Sequence, residues 1–315
     1  MRPRPLIIDC DPGVDDAIAL LLAIASREAL SLLGITTVAG NVPLALTEKN
    51  ARRIVTLSGQ DIPVYAGCPR PLMRPLETAE YVHGATGLGQ VTLPEPQQPC
   101  QAQHGVNFLI ETLTQAPEPV TLAALGPLTN LAIALIQAPQ IGPKIAEIVI
   151  MGGAITHGNV TPVAEFNFYN DPHAAQIVLS SGCPITLISL DVTHRAIATP
   201  QRVAALRNLG SPVALVVADL LETYGDFYRD RYGFEGAALH DPCVIAYLLR
   251  PDLFSGKACP VTVDTAGPLT CGQSIVDWWH LSGQPANALV LETVDADGFY
   301  RLLTDRLARY SVSTP

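Results

Sequence analysis

An acidic segment near the N-terminus, residues 9–16, constrains the fold of this chain most strongly. It holds four aspartates within eight residues and lies between two apolar runs. The apolar residues 6–8 are typical of a buried strand of a parallel sheet, and Pro12-Gly13 indicates a turn. From Val14 onward, apolar residues recur at helical spacing, which predicts an amphipathic helix. The four aspartates are therefore expected where a strand passes into a helix.

The aspartates of this segment need a compensating positive charge. Carboxylates this close repel one another, which raises their pKa unless a cation or hydrogen-bond donors compensate. The helix N-terminus supplies only about 0.3–1 kcal/mol for each exposed acid. Carboxylate ligands without a nearby His or Cys favour a hard cation, calcium or magnesium, over zinc. A solvated acidic turn that caps the helix is the alternative that this segment alone leaves open.

The composition favours one large domain. The 315 residues are 48% hydrophobic with a mean hydropathy of +0.27, which is enough for an extensive core. A net charge of −10 and a pI near 5.1 argue against a nucleic-acid backbone or an anionic membrane surface as a partner. A neutral small molecule is compatible with this charge.

The cysteines and the apolar runs predict a cytoplasmic protein. The seven cysteines are scattered and contain no CxxC pair, so we expect buried free thiols in a reducing compartment. The first apolar run stops at Asp9, which is too short for a signal peptide. The longest apolar run, residues 17–25, is far short of the roughly 20 residues of a membrane span.

Strand and helix patterns alternate along the chain and predict an α/β fold. This alternation favours an open, mainly parallel, Rossmann-like sheet with right-handed crossovers and helices on both faces, in a single domain over residues 1–315. Beyond the first strand and helix, strands are predicted over 32–38, 62–65, 120–125, 145–151 and 184–190. Helices are predicted over 44–57, 105–114, 201–209 and 212–228, and near 299–309.

Several predicted strands end in polar or glycine-rich turns. These turns hold Asp9 and Asp11, Gly40-Asn41, 125–126 and 151–153. Ligands of open parallel sheets bind outside the carboxyl ends of the strands. We therefore expect the functional site at that edge of the sheet.

Six motifs, in order along the chain, resemble those of the inosine-uridine preferring nucleoside hydrolases. They are DCDPGVDDA at 9–17, TTVAGN at 36–41, GPLTN at 126–130, IMGG at 150–153, EFN at 165–167 and LHDP at 239–242. Within that family, residues 234–243 are most similar to bacterial ribonucleoside hydrolases that favour pyrimidines. The resemblance implies hydrolysis of the N-glycosidic bond of ribonucleosides to free base and ribose, leaning towards uridine and cytidine. It also implies a tightly held calcium ion and a homotetramer or homodimer.

The resemblance assigns most of the site by position. Asp11, Asp16 and Asp241 would bind calcium through carboxylates, and Leu125, where the family often has Thr, through its backbone carbonyl. The ribose would be held by Asp15, Asn41 and Asn167 at its 2′- and 3′-hydroxyls, by Asn159 and Glu165 at its 5′-hydroxyl, and by Met151 as the floor of its pocket.

The chemistry of the reaction suggests roles for the remaining groups. Cleavage of the C1′–N bond builds positive charge on the ribosyl ring and negative charge on the base. A calcium-bound water next to Asp11 loses a proton more easily than bulk water, so Asp11 is the expected general base. His240, expected to titrate near neutrality, is the candidate donor to the leaving base. His83 is expected to close over the sugar or base, and Tyr228 to contact the base.

Two regions are expected to surround the base. Residues 67–99, rich in Pro and Gly, are predicted to form a mobile flap that carries His83. Residues 211–243 are predicted to form a helical region over the base pocket. Neither region has a readable code for the preferred base.

Two other functions are weighed against hydrolysis of nucleosides. Asp9 and Asp11 after an apolar strand resemble the DxD motif of haloacid-dehalogenase-like phosphohydrolases, but Pro12 follows where that family has Thr or Val. A non-catalytic module that binds calcium and ribose would share every ligand. The presence of both Asp11 and His240 argues against such a module.

Some residues near these motifs receive only structural assignments. Asp9 is expected to support the metal site, with direct ligation left open, and Asp171 to cap a helix. Tyr224 and Phe227 are interpreted as packing residues of a long helix. The sequence assigns no role to the segment 191–194.

Overall fold

The computed structural model describes residues 2–310 and forms an α/β fold around a central sheet. The strands are β1 (Arg4–Cys10), β2 (Leu30–Thr37), β3 (Val64–Ala66), β4 (Val120–Ala124), β5 (Ile145–Met151), β6 (Ile185–Ile188), β7 (Ile197–Ala198), β8 (Ala237–Ala238), β9 (Phe254–Cys259), β10 (Val261–Val263), β11 (Ser274–Val276) and β12 (Ala288–Val294). The helices are α1 (Val14–Ile24), α2 (Leu44–Ser58), α3 (Glu80–His83), α4 (Gly105–Gln115), α5 (Thr129–Gln137), α6 (Phe166–Asn170), α7 (Pro172–Leu179), α8 (Leu190–Thr193), α9 (Pro200–Arg207), α10 (Pro212–Tyr232), α11 (Pro242–Leu249) and α12 (Ala296–Leu307). The structure also contains two 3₁₀ segments, Pro139–Lys144 and Pro251–Leu253.

The central sheet has eight strands in the order β3-β2-β1-β4-β5-β6-β12-β9. The edge strand β9 is antiparallel to β12, and the other neighbouring pairs of this sheet are parallel over the described residues. The predicted fold class, a mainly parallel Rossmann-like sheet, is confirmed. β7–β8 and β10–β11 form two separate antiparallel pairs.

The order of the strands creates a crevice beside β1. The chain passes from β1 through β2 to the edge strand β3, and then returns to place β4 on the other side of β1. Such a reversal of strand order opens a crevice at the carboxyl ends of the strands, where ligands of doubly wound sheets bind. The acidic segment leaves β1 at this point, so the topology places it in the crevice.

Helix α1 differs from the sequence prediction, because it is buried on all sides. All eleven of its residues are buried, including Asp15 and Asp16 in its first turn. It packs among α2, α10, α11 and α12, so it has no solvent-facing side. The prediction of an amphipathic helix here is wrong, and a helix that is apolar nearly all round is typical of a buried one. The consequence is that both acids lie in the protein interior.

Residues 67–99 pack against the carboxyl edge of the sheet. They are irregular apart from α3, yet Leu88 and Leu93 are buried in the core. The backbone N–H of Ala79 donates to the carbonyl of Asn41 at 2.9 Å, which ties the segment to the turn after β2. This contact brings α3, and with it His83, over the crevice. The predicted mobility of the segment stays a prediction.

The helices of residues 2–310 were also compared with the requirements of a membrane span. None of them is both long enough and apolar enough to cross a bilayer.

Candidate active site

A cleft opens at the carboxyl ends of β1, β4 and β5. Most residues predicted from the sequence line it, namely Asp15, Asn41, His83, Leu125, Met151, Asn159, Glu165, Asn167, Tyr228, His240 and Asp241. The predicted residues Asp11 and Asp16 do not line the cleft and are fully buried beside it.

Three carboxylates meet beside the cleft. Asp15 and Asp16 come from the first turn of α1, and Asp241 directly precedes α11. One oxygen of each lies within 4.8 Å of the other two. Burial, followed by the charge of Asp16, raises the pKa of Asp15 to about 8. Burial and the neighbouring acids likewise raise the pKa of Asp241. The cluster is therefore unstable as an array of anions unless a cation joins it.

Asp11 lies next to these three acids without joining their group. Its backbone N–H donates to Asp16 Oδ1 at 3.2 Å, and its Oδ2 accepts the backbone N–H of Asn41 at 2.7 Å. Its Oδ1 is buried and has no hydrogen-bond partner in the described part of the chain. Burial and then the charge of Asp16 raise the pKa of Asp11. A buried carboxylate oxygen without a partner, beside three further carboxylates, suits a hard oxygen-seeking cation.

Asn41 and Leu125 add polar groups to the lining of the cleft. The Asn41 side-chain N–H₂ donates to the Asp11 carbonyl and to Asp16 Oδ2, both at 3.1 Å, so the acids orient this amide. Leu125 lines the cleft, and its carbonyl accepts a hydrogen bond from Asn167 Nδ2 at 2.8 Å. A carbonyl has a second lone pair, so this oxygen keeps capacity for a cation.

Asp9 belongs to a different hydrogen-bond network. Its Oδ1 accepts the Thr36 hydroxyl at 2.5 Å and the Asn130 side-chain N–H₂ at 2.7 Å. Asn130 also donates to the Thr37 carbonyl at 3.0 Å and accepts the backbone N–H of Cys68 at 2.8 Å. Burial raises the pKa of Asp9 to about 7. Asp9 and Asn130 therefore join β1, β2 and the start of residues 67–99 beneath the cleft. The role of Asn130 was missed, although the GPLTN motif contains it.

Helix α6 and the loop before it form part of the wall of the cleft. Glu165 caps α6, and its two carboxylate oxygens accept the backbone N–H groups of Asn167 at 2.9 Å and Gly153 at 3.0 Å. Burial raises the pKa of Glu165 to about 7 although these donors oppose the shift. Asn159 Oδ1 accepts the backbone N–H of Phe166 at 3.0 Å, which fixes its amide at the cleft. Acceptors and amide groups thus face the cleft from this side.

His83 reaches the site from residues 67–99. Its Nδ1 accepts the backbone N–H of Val14 at 3.2 Å, at the start of α1. Burial lowers the pKa of His83 to about 3, so the imidazole is neutral near pH 7. Because Nδ1 is an acceptor, the proton of the neutral ring is on Nε2. The side chain lines the cleft, as expected from the sequence.

A series of hydrogen bonds runs through His240, Tyr228 and Tyr224, all of which line the cleft. The Thr193 hydroxyl lies 2.7 Å from His240 Nδ1, and His240 Nε2 lies 2.5 Å from the Tyr228 hydroxyl. The Tyr228 hydroxyl in turn donates to Tyr224 at 3.3 Å. Burial lowers the pKa of His240 well below its ordinary value. The expectation that His240 titrates near neutrality is therefore wrong, because burial of the ring disfavours its charged form.

The aromatic residues of α10 were only partly identified from the sequence. The interpretation of Tyr224 and Phe227 as packing residues alone is incomplete, because both line the cleft. Tyr224, Tyr228 and Tyr232 recur every four residues and so share one face of the helix. This spacing was the available signal for an aromatic wall. Tyr81 of residues 67–99 adds to that wall, with its ring centroid 6.2 Å from that of Phe227.

Two further aspartates hold loops near the cleft. Asp171 caps α7, as predicted, through the backbone N–H of Ala174 at 3.0 Å, and it also accepts the backbone N–H of Leu72 at 2.9 Å. Asp191 accepts the backbone N–H of Ile155 at 2.6 Å and the Thr156 hydroxyl at 2.6 Å. Each joins a cleft loop to a helix, which the sequence alone did not reveal.

Comparison with known proteins shows the family of this chain. The sequence matches the family described as "Inosine-uridine preferring nucleoside hydrolase" over residues 6–301. It is 50% identical over 309 residues to the pyrimidine-specific ribonucleoside hydrolase RihA of Photobacterium profundum, covering 98% of this chain and 99% of that protein. It is 48% identical over 307 residues to an uncharacterized protein of Schizosaccharomyces pombe, covering 96% of this chain and 99% of that one.

Solved structures give the same result. A purine-preferring ribonucleoside hydrolase from Gardnerella vaginalis superposes with a TM-score of 0.90 at 33% identity, covering 97% of this chain and 98% of that one. The resemblance drawn from the six motifs is thereby confirmed. Since the matches span nearly the whole chain, from the strand before the acidic segment to the last helix, this chain belongs to the inosine-uridine preferring nucleoside hydrolase family.

Proposed function

We propose that this chain hydrolyses the N-glycosidic bond of ribonucleosides, preferentially of uridine and cytidine, to free base and ribose. One observation carries the proposal: a cluster of buried acids and a series of hydrogen-bonded hydroxyl and imidazole groups adjoin the same cleft. The first suits the positive charge that develops on the ribosyl ring, and the second suits the negative charge on the leaving base.

The preference for pyrimidines is supported by the relative that shares half of the sequence. The protein of Photobacterium profundum, named as pyrimidine-specific, is 50% identical to this chain. The Gardnerella vaginalis structure, named as purine-preferring, is 33% identical. The greater identity favours uridine and cytidine as the better substrates.

The proposed metal is calcium, held by Asp11, Asp16 and Asp241 and by the Leu125 carbonyl. The support is an all-oxygen set of buried donors, one of which has an oxygen without a protein partner. When bound, the ion supplies positive charge that makes a neighbouring water more acidic. Asp15 belongs to the same cluster of carboxylates as Asp16 and Asp241. We propose that it also orients the ribose hydroxyls together with Asn41 and Asn167.

The remaining steps follow from the side chains. Asp11 takes a proton from the attacking water, and the oxygen of that water forms a bond to C1′. The C1′–N bond breaks, and its electron pair passes to the base. Hydrogen bonds from Tyr224 and His83 stabilise the base until it takes up a proton from solvent, and Asp11 releases its own proton to solvent. His240, the donor expected from the sequence, is bonded to Tyr228 and acts on the base through Tyr228 and Tyr224. Asn159 and Glu165 hold the 5′-hydroxyl, and Met151 supports the ring. Ribose and free base leave, with one water consumed.

Several features of the protein as a whole are part of this proposal. We infer a single domain over residues 1–315, in which 67–99 act as a flexible flap and 211–243 cover the base. A homotetramer or homodimer, and a cytoplasmic location, complete it. Support for the location comes from the cysteines, all seven of which are free thiols in the structure.

The phosphohydrolase alternative is not favoured. Its DxD motif would require Asp9 and Asp11 to act together at one ligand. Asp9 is instead bound to Thr36 and Asn130, away from the carboxylate group. A binding module without turnover shares the donor set, so measurement of turnover separates it from an enzyme.

Release of base and ribose from uridine, cytidine, inosine and adenosine tests the proposed function. We expect release with calcium present, fastest from the two pyrimidine nucleosides, and its loss after chelation. Addition of calcium should restore it better than magnesium, which demands a stricter octahedral geometry. A folded, calcium-loaded protein that releases no base from any of the four would contradict the proposal. Equal recovery with magnesium would contradict the assignment of calcium.

A change of Gly126 to Ala tests the position of Asp11 without altering its charge. A Cβ at Gly126 would lie well inside van der Waals distance of Asp11 Oδ1, and the backbone conformation there needs no glycine. We expect kcat/KM for uridine to fall by about 100-fold, since a displacement near 1 Å can cost that much. Gly142→Ala is the matched control, because its nearest neighbour would be Cys183 Sγ at 3.8 Å. Equal activity of the two variants would contradict the placement of Asp11.

A further inference from the structure

Thr193 is a fully buried side chain that the proposed mechanism has not used. It ends α8, in the segment 191–194 to which the sequence assigned no role. Its hydroxyl lies 2.7 Å from His240 Nδ1. In the described part of the chain, this contact is the one side-chain hydrogen bond of that hydroxyl, so Thr193 is oriented toward the imidazole.

A small sheet holds Thr193 and His240 in register. Four residues after Thr193 the chain enters β7, and β8 ends two residues before His240. The two strands pair through Ile197 and Ala238, and the backbone N–H of Leu239 donates to the Ala196 carbonyl at 3.0 Å. The distance between hydroxyl and imidazole is thus set by backbone structure on both sides.

Donor and acceptor roles can be assigned along the series of hydrogen bonds from Thr193 to Tyr224. The Tyr228 hydroxyl gives its single proton to Tyr224, so toward His240 it can only accept. His240 Nε2 must then carry a proton and donate it, which leaves Nδ1 as an acceptor in the neutral ring. The Thr193 hydroxyl is the donor that Nδ1 needs. At the far end, Tyr224 accepts from Tyr228 and keeps its own proton for the cleft that it lines.

We propose that Thr193 is a positioning residue for leaving-group recognition: its hydroxyl holds His240 in the Nε2–H tautomer, which keeps the Tyr224 hydroxyl as a donor toward the base. The proposal rests on the proposed nucleoside hydrolysis. Without the Thr193 hydroxyl, Nδ1 loses its hydrogen-bond donor, and the Nε2–H tautomer loses the bond that favours it over the Nδ1–H tautomer. In the Nδ1–H tautomer, Tyr228 donates to His240, Tyr224 donates to Tyr228, and the base loses its donor.

Substitution by valine removes the hydroxyl and keeps the shape. For Thr193→Val we expect kcat for uridine to fall by about 10- to 100-fold with little change in KM. Hydrolysis of 4-nitrophenyl β-D-ribofuranoside should change by less than about twofold, because nitrophenolate leaves without help from a donor. Thr193→Ser keeps the hydroxyl and should restore most of the uridine rate. Equal losses on both substrates, or no loss on uridine, would overturn the proposal.

Two further measurements keep the test independent of folding and of the proposed function. The ¹⁵N chemical shifts of His240 in the unmodified protein should be those of the Nε2–H tautomer, and the Nδ1–H tautomer would overturn the proposal without any variant. In a His240→Ala background, Thr193→Val should cause no additional loss on uridine, since its effect passes through the imidazole. An additive loss would overturn it. Failure of the unmodified protein to hydrolyse any nucleoside would instead reject the proposed function.

Discussion

Replacement of Asp11 by alanine is expected to lower kcat/KM for uridine by more than about 10³-fold. A general base contributes about 10²- to 10⁴-fold, and the same change removes a proposed calcium ligand. The Asp11 oxygen without a hydrogen-bond partner is the structural basis of this expectation. Steady-state kinetics with uridine at saturating calcium measures the effect.

The control for this substitution is Asp252→Ala. Asp252 is exposed, pairs with Arg250 at 2.6 Å and does not line the cleft. Loss of an exposed ion pair costs little stability, so we expect unchanged activity. Asp11→Ala with more than one tenth of the original kcat/KM would remove Asp11 from its assigned role.

The Asp11→Ala variant can also be tested by its effect on the stability of the protein. Burial and the charge of Asp16 raise the folded-state pKa of Asp11 above 3.8, its ordinary value. A carboxyl whose pKa is raised by folding stabilises the protein fully below its unfolded pKa, and that contribution is lost as pH rises through the folded pKa. Without divalent cations, the unmodified protein should therefore lose stability as pH rises above about 4. Asp11→Ala should lose less.

Calcium should stabilise the two proteins to different extents. A ligand that binds the folded state raises Tm, so calcium is expected to stabilise the unmodified protein more than Asp11→Ala. Thermal unfolding with calcium and with chelator, at two pH values, gives both comparisons. An equal calcium-induced rise of Tm in the two proteins would contradict ligation by Asp11.

Replacement of His240 by alanine is expected to lower kcat for uridine by about 10²- to 10⁴-fold, the range for loss of a leaving-group donor, because Tyr224, the proposed donor, depends on His240 for its orientation. The variant interrupts the chain between Thr193 and Tyr228, so Tyr224 loses its orientation. Rates on uridine, inosine and 4-nitrophenyl β-D-ribofuranoside measure the dependence on the leaving group. We expect different losses for the two nucleosides and only a small loss for the nitrophenyl riboside.

An exposed histidine provides the control for His240. His280 lies in the loop between β11 and β12 and does not line the cleft, so His280→Ala should leave all three rates unchanged. Uniform losses across the three substrates in His240→Ala would mean that the imidazole supports the site as a whole. A specific role toward the base would then be wrong.

Local patterns were sufficient for most of the regular structure. β5 has the predicted bounds 145–151, and α2 extends the predicted 44–57 by one residue. Asp171 was predicted as a cap from Asp-Pro alone, because capping depends on a few neighbouring residues. The pairing of β12 between β6 and antiparallel β9 was not predicted, since partners far apart in sequence leave no local signal.

The sequence by itself determined the fold class, the family and the acidic segment that begins the site. The periodicities and motifs on which these predictions depend are formed by residues close to one another in the sequence. Only the tertiary structure decided which groups meet. Asp9 and Asp11, two residues apart, join different networks, while His83 meets Val14 from 69 residues away. Thr193 bonds to His240, and Tyr224 bonds to Tyr228, which in turn contacts His240. Such hydrogen bonds between buried groups depend on the packing of elements that are distant in sequence.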